Sequence, residues 1–415
     1  MKLPLRSFVN ARICEGKRCS LFFQLILVIL TSSSFSGCEP LFIGSEELDV
    51  DPPRFKASEI TPPTGEGKQL RVMAWNIKYG ALRAPFWFDC WGDQVSLSRD
   101  QVEQNMEQIY EMIREADPDI LMIEELELHS RRSAYYDMLQ GILEHTQLNY
   151  GAYFETWNSR YIPSEGLGRM SLGNAIFTKH EMTKAEKIAQ IDRSDLDPVT
   201  QPFYLHRFMG RVELKLPSGS SVAAYVVHTE AYDEDGTKAK QIKQIFDQVS
   251  DETLPFVLGG DFNELPPTSA QIDSFPDERS LPVCGADFDQ PPYTPEVMSE
   301  FFVALKPWIS LEQYGDTQKA QSRFFTHSVL GPQESNEEGE QGEWNRTLDY
   351  LFASPNTQWV EGSTDVLQRR GQRVGVYVNS REDREQVGPL DWILSSDPLS
   401  LSDHAPVFGI WEVNP

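Results

Sequence analysis

Apolar and polar positions change period repeatedly along this chain. LRVMAWNI (70–77) is almost continuously apolar, as a buried strand is. SRDQVEQNMEQIYEMIREA (98–116) then switches to a helical period, with Val102, Met106, Ile109 and Ile113 on one face. DILMIEEL (119–126) is a short apolar run again, so strand, helix and strand predict a βαβ unit or its antiparallel relative. Further on, RVELKL (211–216) alternates and SVAAYVVH (221–228) reads as a mostly buried strand. KQIKQIFDQV (240–249) is a helix with Ile242, Ile245, Phe246 and Val249 inward, and it leads into the strand LPFVLGGDFN (254–263). TLDYLFAS (347–354) and HAPVFGIWEV (404–413) are closing strands. Rim loops over about 264–322 and an acidic loop at 331–344 precede these closing strands, and an insertion at about 361–400 separates them.

The strands share one habit, which is to end in chemistry. LRVMAWN ends in Asn76, DILMIEE in Glu124 and Glu125, and SVAAYVVH in His228. LPFVLGGDFN ends in Asp261 and Asn263, which face one side while the backbone stays extended. Asp349 lies within RTLDYLF, and Asp403 and His404 immediately precede APVFGIW. A sheet scaffold builds a polar cluster from distant positions in this way. Carboxylates and amide oxygens without a cysteine cluster suit a hard divalent cation such as Mg²⁺ or Mn²⁺ better than zinc. An imidazole beside them serves as acid, base or phosphate partner, and with no Ser or Cys nucleophile motif the attacking group is most simply water.

The ends of the chain add a location. A basic segment followed by LFFQLILVIL (21–30) is too short to span a bilayer and suits a secretory leader. FSGC places small residues before Cys38, in the manner of a bacterial lipoprotein signal; Phe35 stands where Leu is usual. The expectation is a signal peptide over 1–37, a tether over 38–69 rich in Pro, Glu and Gly, and one domain over 70–415. The protein is then exported and anchored through lipidated Cys38, facing the periplasm or the cell surface. Cys90 and Cys284 remain, either paired in that oxidising compartment or as two thiols. The 37 basic against 63 acidic residues give a net charge of −26. Loss of the leader removes Lys2, Arg6, Arg12, Lys17 and Arg18 against Glu15, making the rest more acidic still. Such a field disfavours nonspecific binding to nucleic acid without excluding a nuclease site. Nothing predicts a protein partner. The aromatic stretches FWFDCWGD (86–93) and FFTH (324–327) are open to reading as core, substrate wall or lipid-touching rim.

AWNIKYG, DILMIEEL, GNAIFTK (173–179), VVHTEAYD, VLGGDFNELP, RTLDYLF and LSDHAPV, in that order from about Arg71 to Trp411, resemble the motif series of the endonuclease/exonuclease/phosphatase superfamily, which includes DNase I. The resemblance implies a four-layer α/β sandwich, two mainly antiparallel sheets face to face with helices outside, and hydrolysis of a phosphate ester assisted by Mg²⁺ or Mn²⁺. It implies Glu125 as principal metal ligand, with Asn76 and Asp403 close to the metal and its phosphate. His404 resembles the essential histidine, Asp349 its orienting carboxylate, Asp261 the residue that aligns or deprotonates water, and Asn263 a phosphate holder. His228 matches a second histidine near the nonbridging oxygens or leaving group. Two departures stand out: Glu124 replaces a frequent glutamine, and Lys78 replaces an acidic residue found in some relatives. The expected substrate is a phosphodiester, with a phospholipid head group preferred on charge and tethering. An extracytoplasmic endonuclease and an inactive binding lipoprotein that keeps the fold are the alternatives.

Overall fold

The computed structural model describes residues 51–413, apart from 64–66, 87–91, 163–165, 198–200, 202–203, 232–234, 279–291, 336–338 and 380–383. The expected leader over 1–37, lipidated Cys38, the first part of the tether, the pair Cys90 and Cys284 and most of FWFDCWGD lie outside the described residues.

In chain order the first strands are β1 (Arg54–Lys56), β2 (Gln69–Asn76), β3 (Ile120–Glu127), β4 (Tyr150–Ile162) and β5 (Gly168–Thr178). They are followed by β6 (Glu181–Ala189), β7 (Phe208–Lys215), β8 (Ser221–His228), β9 (Phe256–Asp261), β10 (Lys306–Pro307) and β11 (Asp349–Ala353). Last come β12 (Gln358–Trp359), β13 (Asp365–Val366), β14 (Arg373–Asn379), β15 (Arg384–Ile393) and β16 (Val407–Glu412). The longer helices are α1 (Arg99–Ala116), α2 (Met138–His145) and α3 (Thr237–Ser250). One sheet runs β1-β4-β5-β3-β2-β16-β12 with β13 beside β16, the other β10-β11-β9-β8-β7-β6, and β14 and β15 form a separate hairpin. Each large sheet is antiparallel except at one pair, β2 with β3 and β8 with β9, and each of these pairs is bridged by a helix.

The strand period of two explains the layers. Val72, Ala74, Ile120 and Met122 enter the core shared with β7, β8 and β9, which also takes Ile242, Ile245 and Val249 of α3. The alternate residues Met73, Trp75, Leu121 and Ile123 pack instead with Val102, Met106, Ile109 and Ile113 of α1 and with α2. Helices, sheet, sheet and helix therefore form four layers, and both cores are apolar enough to drive the assembly. α1 starts at Ser98, whose hydroxyl accepts from the Gln101 amide while the Gln101 side chain returns the bond. Phe246 packs against the inter-sheet core only partly buried, at the rim of the expected inward face of α3.

The segment read as tether is bound to the domain at its far end. β1 pairs antiparallel with β4, Ala57 N–H donates to Asn149 O at 2.9 Å, and the Asn149 side chain bonds both polar backbone atoms of Thr61. A three-residue edge strand is too short to alternate visibly, and its prolines are tolerated at a sheet edge.

Candidate active site

The two parallel pairs end on the same side, and their C-terminal residues meet. β2 follows its period to Asn76, on the face of Val72 and Ala74 that meets the second sheet. Its amide donates to Glu125 Oε1 at 3.2 Å and to Asp261 Oδ2 at 3.3 Å, and its Oδ1 accepts from the Lys78 backbone at 3.1 Å. The chain then turns through left-handed residues, Lys78 at φ 45° and Tyr79 at φ 42°, a strain typical of functional turns. In β3 the register with β5 shifts between Ile123 and Leu126, and Glu125 sits at φ 57°. That bulge separates two neighbouring carboxylates: Glu124 is wholly buried, while Glu125 remains half-buried beside Asn76.

The glycine pair of β9 answers a steric demand. A Cβ on Gly259 would stand 2.6 Å from Leu351, 2.7 Å from Met122 and 3.2 Å from Ala74, so the sheets approach too closely there for a side chain. Gly260 has φ 135°, with the Val227 carbonyl where a Cβ would go. Asp261 then pairs in register with both His228 and Asp349. Asn263, at φ 47°, leaves the extended path on which the expectation of a shared face with Asp261 rested. Its backbone N–H donates to Asp261 Oδ1 at 2.8 Å, and its side-chain amide is turned to the Thr229 carbonyl at 3.1 Å.

His404 stands at the centre. Its Nδ1 lies 2.9 Å from Asp349 Oδ2 and its Nε2 lies 3.5 Å from Asp261 Oδ2. The main chain is held by Trp75, whose indole donates to the His404 carbonyl at 2.9 Å, and by Ser402, which joins the His404 N–H to the Asn76 carbonyl. Burial alone would push this imidazole down, but Asp349 and Asp261 outweigh it and lift its pKa to about 10. Asp261 is raised to about 7, first by burial and then by Asp349, with His404 opposing. His228, with Nε2 3.5 Å from the same Asp261 oxygen, is kept neutral by burial and by Arg207. Glu124 is driven well above the carboxylate range by burial and then by Asp349 and Asp261, with His404 opposing. Neither of its oxygens has a hydrogen-bond partner among the described residues.

Two groups of donors could hold a cation. Asp261, Asp349 and His404 bring ligand atoms within 4.8 Å of one another. Both imidazole nitrogens there already face carboxylates and the ring is charged, which suits proton handling better than ligation. Glu125, Asn76 and Asp403 offer hard oxygen donors. Glu125 is raised by burial and then by Asp403, a repulsion that a divalent cation would relieve. Asp403 is not free for this alone: Lys78 Nζ lies 3.4 Å from its Oδ2 and, against burial, holds its pKa below the usual range.

The structure thus joins Asn76, Glu125, Asp261, His228, Asp349 and His404 in one cluster and sets Asp403 at its edge, paired with Lys78. Sequence reasoning missed Thr326, whose hydroxyl accepts from the Leu348 and Asp349 amides at 2.9 and 3.2 Å, and Ser402. It also missed His327, whose ring stands 4.6 Å from that of His404. Phe324 and Phe325 of the same FFTH stretch are buried core. These three polar residues lie in loops, where no periodicity marks them; the signal available was a polar pair following two aromatics.

The fold is similar to that of several solved structures. An endonuclease/exonuclease/phosphatase from Beutenbergia cavernae is 17% identical, with 84% of this chain and 72% of that one covered and a TM-score of 0.45. The human Nocturnin catalytic domain with bound sulfate is 17% identical over 87% of this chain and 97% of its own, with a TM-score of 0.43. The mannosyl-6-phosphatase Bt3783 of Bacteroides thetaiotaomicron is 16% identical over 82% and 99%, with a TM-score of 0.41. No curated protein matches the sequence. The sequence itself matches the Endonuclease/Exonuclease/phosphatase family over residues 73–404, a span that runs from β2 to His404. With that match over most of its length, the chain belongs to the endonuclease/exonuclease/phosphatase family, whose members are phosphoesterases and nucleases.

Proposed function

We propose that this protein hydrolyses a phosphodiester by in-line attack of water at a site that holds Mg²⁺ or Mn²⁺. The observation that supports this most is the buried, charged His404 between Asp349 and Asp261, next to the carboxylate pair Glu125 and Asp403. A divalent cation at Glu125, Asn76 and Asp403 would supply charge neutralisation for the phosphate. The protein's own groups do the rest. Asp261, with a pKa of about 7, takes the proton of the attacking water as the new O–P bond forms. His404 offers a charged N–H to the phosphoryl oxygens, and Asp349 fixes its tautomer and orientation. The bond to the leaving oxygen breaks, and that oxygen takes up the proton that Asp261 received from the water, while neutral His228, 3.5 Å from the same Asp261 oxygen, holds that carboxyl in place. Asn263 anchors Asp261 through its backbone N–H, and in this arrangement its amide serves the turn.

For the substrate we favour a phospholipid head group. The net charge of −26 opposes a polyanionic strand, and an exported chain tethered through Cys38 would work beside lipid. The test is hydrolysis of an activated phosphodiester with Mg²⁺ or Mn²⁺ by wild type, His404→Ala and an EDTA-treated control, followed by phospholipid vesicles and plasmid DNA. Activity lost in both controls supports the site, and preference for vesicles over DNA supports the substrate. Salt-sensitive plasmid nicking with no lipid cleavage would replace the lipid reading by a nuclease.

A further inference from the structure

Beside His404 stands a second imidazole whose protonation is set by a buried cation. Arg346, just before β11, is 1% exposed, with its guanidinium over the Phe275 ring at 4.6 Å. Its terminal nitrogens bond the Asp277 carboxylate at 3.2 and 3.5 Å. The third corner of the guanidinium, Nε, lies 3.0 Å from Nδ1 of His327. A guanidinium only donates, so Nδ1 of His327 is the acceptor and the ring's one proton sits on Nε2. Among the described residues Nε2 of His327 has no hydrogen-bond partner, and it is not one of the fully enclosed polar atoms.

The position of this N–H is fixed from three directions. His327 and His404 form a backbone bridge, the Ala405 N–H donates to the Thr326 carbonyl at 2.6 Å, and Ser328 N–H donates to the Asp403 carbonyl at 3.0 Å. The rings meet edge to face, 4.6 Å apart at 67°. After burial, the groups that weigh most on His327 are all cationic: Arg346, His404, Arg83 and Lys78. Two charged imidazoles at this separation would repel. The Arg346 contact resolves the conflict by assigning the charge to His404 and leaving His327 a neutral donor. The surrounding cations make the place hospitable to an anion.

We propose that His327 is a substrate-positioning residue whose Nε2–H, held by Arg346, donates to a nonbridging oxygen of the phosphoryl group seated against His404. This rests on the hydrolase reading only for the substrate; the anion recognised is the phosphoryl group itself.

The experiment is calorimetric titration of inorganic phosphate into the Mg²⁺-loaded protein at pH 7, for wild type, His327→Phe and His327→Gln, with kcat and KM on an activated phosphodiester measured alongside. A hydrogen bond to a charged oxygen predicts that His327→Phe weakens phosphate by about tenfold to a hundredfold. His327→Gln, which restores an N–H at similar reach, recovers most of the loss. Equal affinity in wild type and His327→Phe overturns the proposal, as does a wild type that binds no phosphate. Equal losses in both variants overturn it too, since they report packing rather than donation. His327-dependent phosphate binding in a protein that cleaves no diester upholds the proposal and removes the hydrolase reading alone.

Discussion

The unit β2–α1–β3 and the unit β8–α3–β9 share a plan, a parallel strand pair bridged by a helix, yet they deliver their polar ends in opposite states. The second unit brings His228 and Asp261 into a buried set, in which charged His404 lies between Asp261 and Asp349 and neutral His228 stands beside Asp261. The first brings buried Asn76 and half-buried Glu125, the latter at φ 57°, beside Asp403, which repels Glu125 while Arg132 and His404 offset part of that repulsion and Lys78 pairs with Asp403. One half holds its own cation, His404, between two carboxylates and is in that sense complete; in the other, Glu125 and Asp403 still repel each other, a deficit of positive charge. A site split in this way keeps its proton-handling groups in place whether or not a cation is bound, and reserves the deficit for the cation.

The largest effect should come from breaking the complete half. His404→Ala is expected to lower kcat/KM by about a thousandfold or more, with no recovery at any Mg²⁺ concentration, because acid–base and charge stabilisation leave together. Steady-state kinetics across a metal series would show this. Breaking the incomplete half should look different. Glu125→Gln removes one of two carboxylates and is expected to cost about a hundredfold at low metal, with much of it returning as Mg²⁺ or Mn²⁺ rises. Failure to recover would mean that Glu125 does more than hold a cation.

Stability should report the same asymmetry at smaller scale. At a Mg²⁺ concentration a hundred times its dissociation constant, mass action predicts about 2.7 kcal/mol of added stability. Urea midpoints should show this in wild type and in His404→Ala, and lose most of it in Glu125→Gln.

The pH profile gives the finest distinction. Asp261 must be ionised to accept a proton, so kcat/KM should fall as pH drops through about 7. His404 must be protonated, so it should also fall as pH rises through about 10. Asp349 raises both groups, and Asp349→Asn is therefore expected to move both limbs to lower pH. Movement of one limb alone would break the coupling described here. The two limbs belong to the coupled pair and not to either residue.

Long elements were legible in the sequence because unbroken apolar runs mark β2 and β3 and the 3.6 period survives over the 18 residues of α1. The strand-end residues were legible because a carboxylate or imidazole closing an apolar run is conspicuous. What escaped has a physical reason in each case. β1 is three residues on an edge, among prolines. Asn263 was given a shared face with Asp261 on the condition of extended backbone, and its left-handed φ does not meet that condition. Lys78 looked like a missing ligand, whereas its ammonium group occupies Asp403 from 3.4 Å. His327 depends on Arg346, nineteen positions later, and on Asp277, and no local pattern encodes a contact of that kind.

The indole of Trp75 and the carbonyl of His404 are 329 residues apart in sequence and 2.9 Å apart in space. β16 must lie antiparallel along β2 before that bond can form, and β16 is the last of the described strands. During synthesis, therefore, the site stays unassembled until His404 and β16 have emerged, and a chain cut short before His404 is expected to show no activity. Long-range closure of this kind is slow, so regain of activity on refolding should lag behind regain of helix.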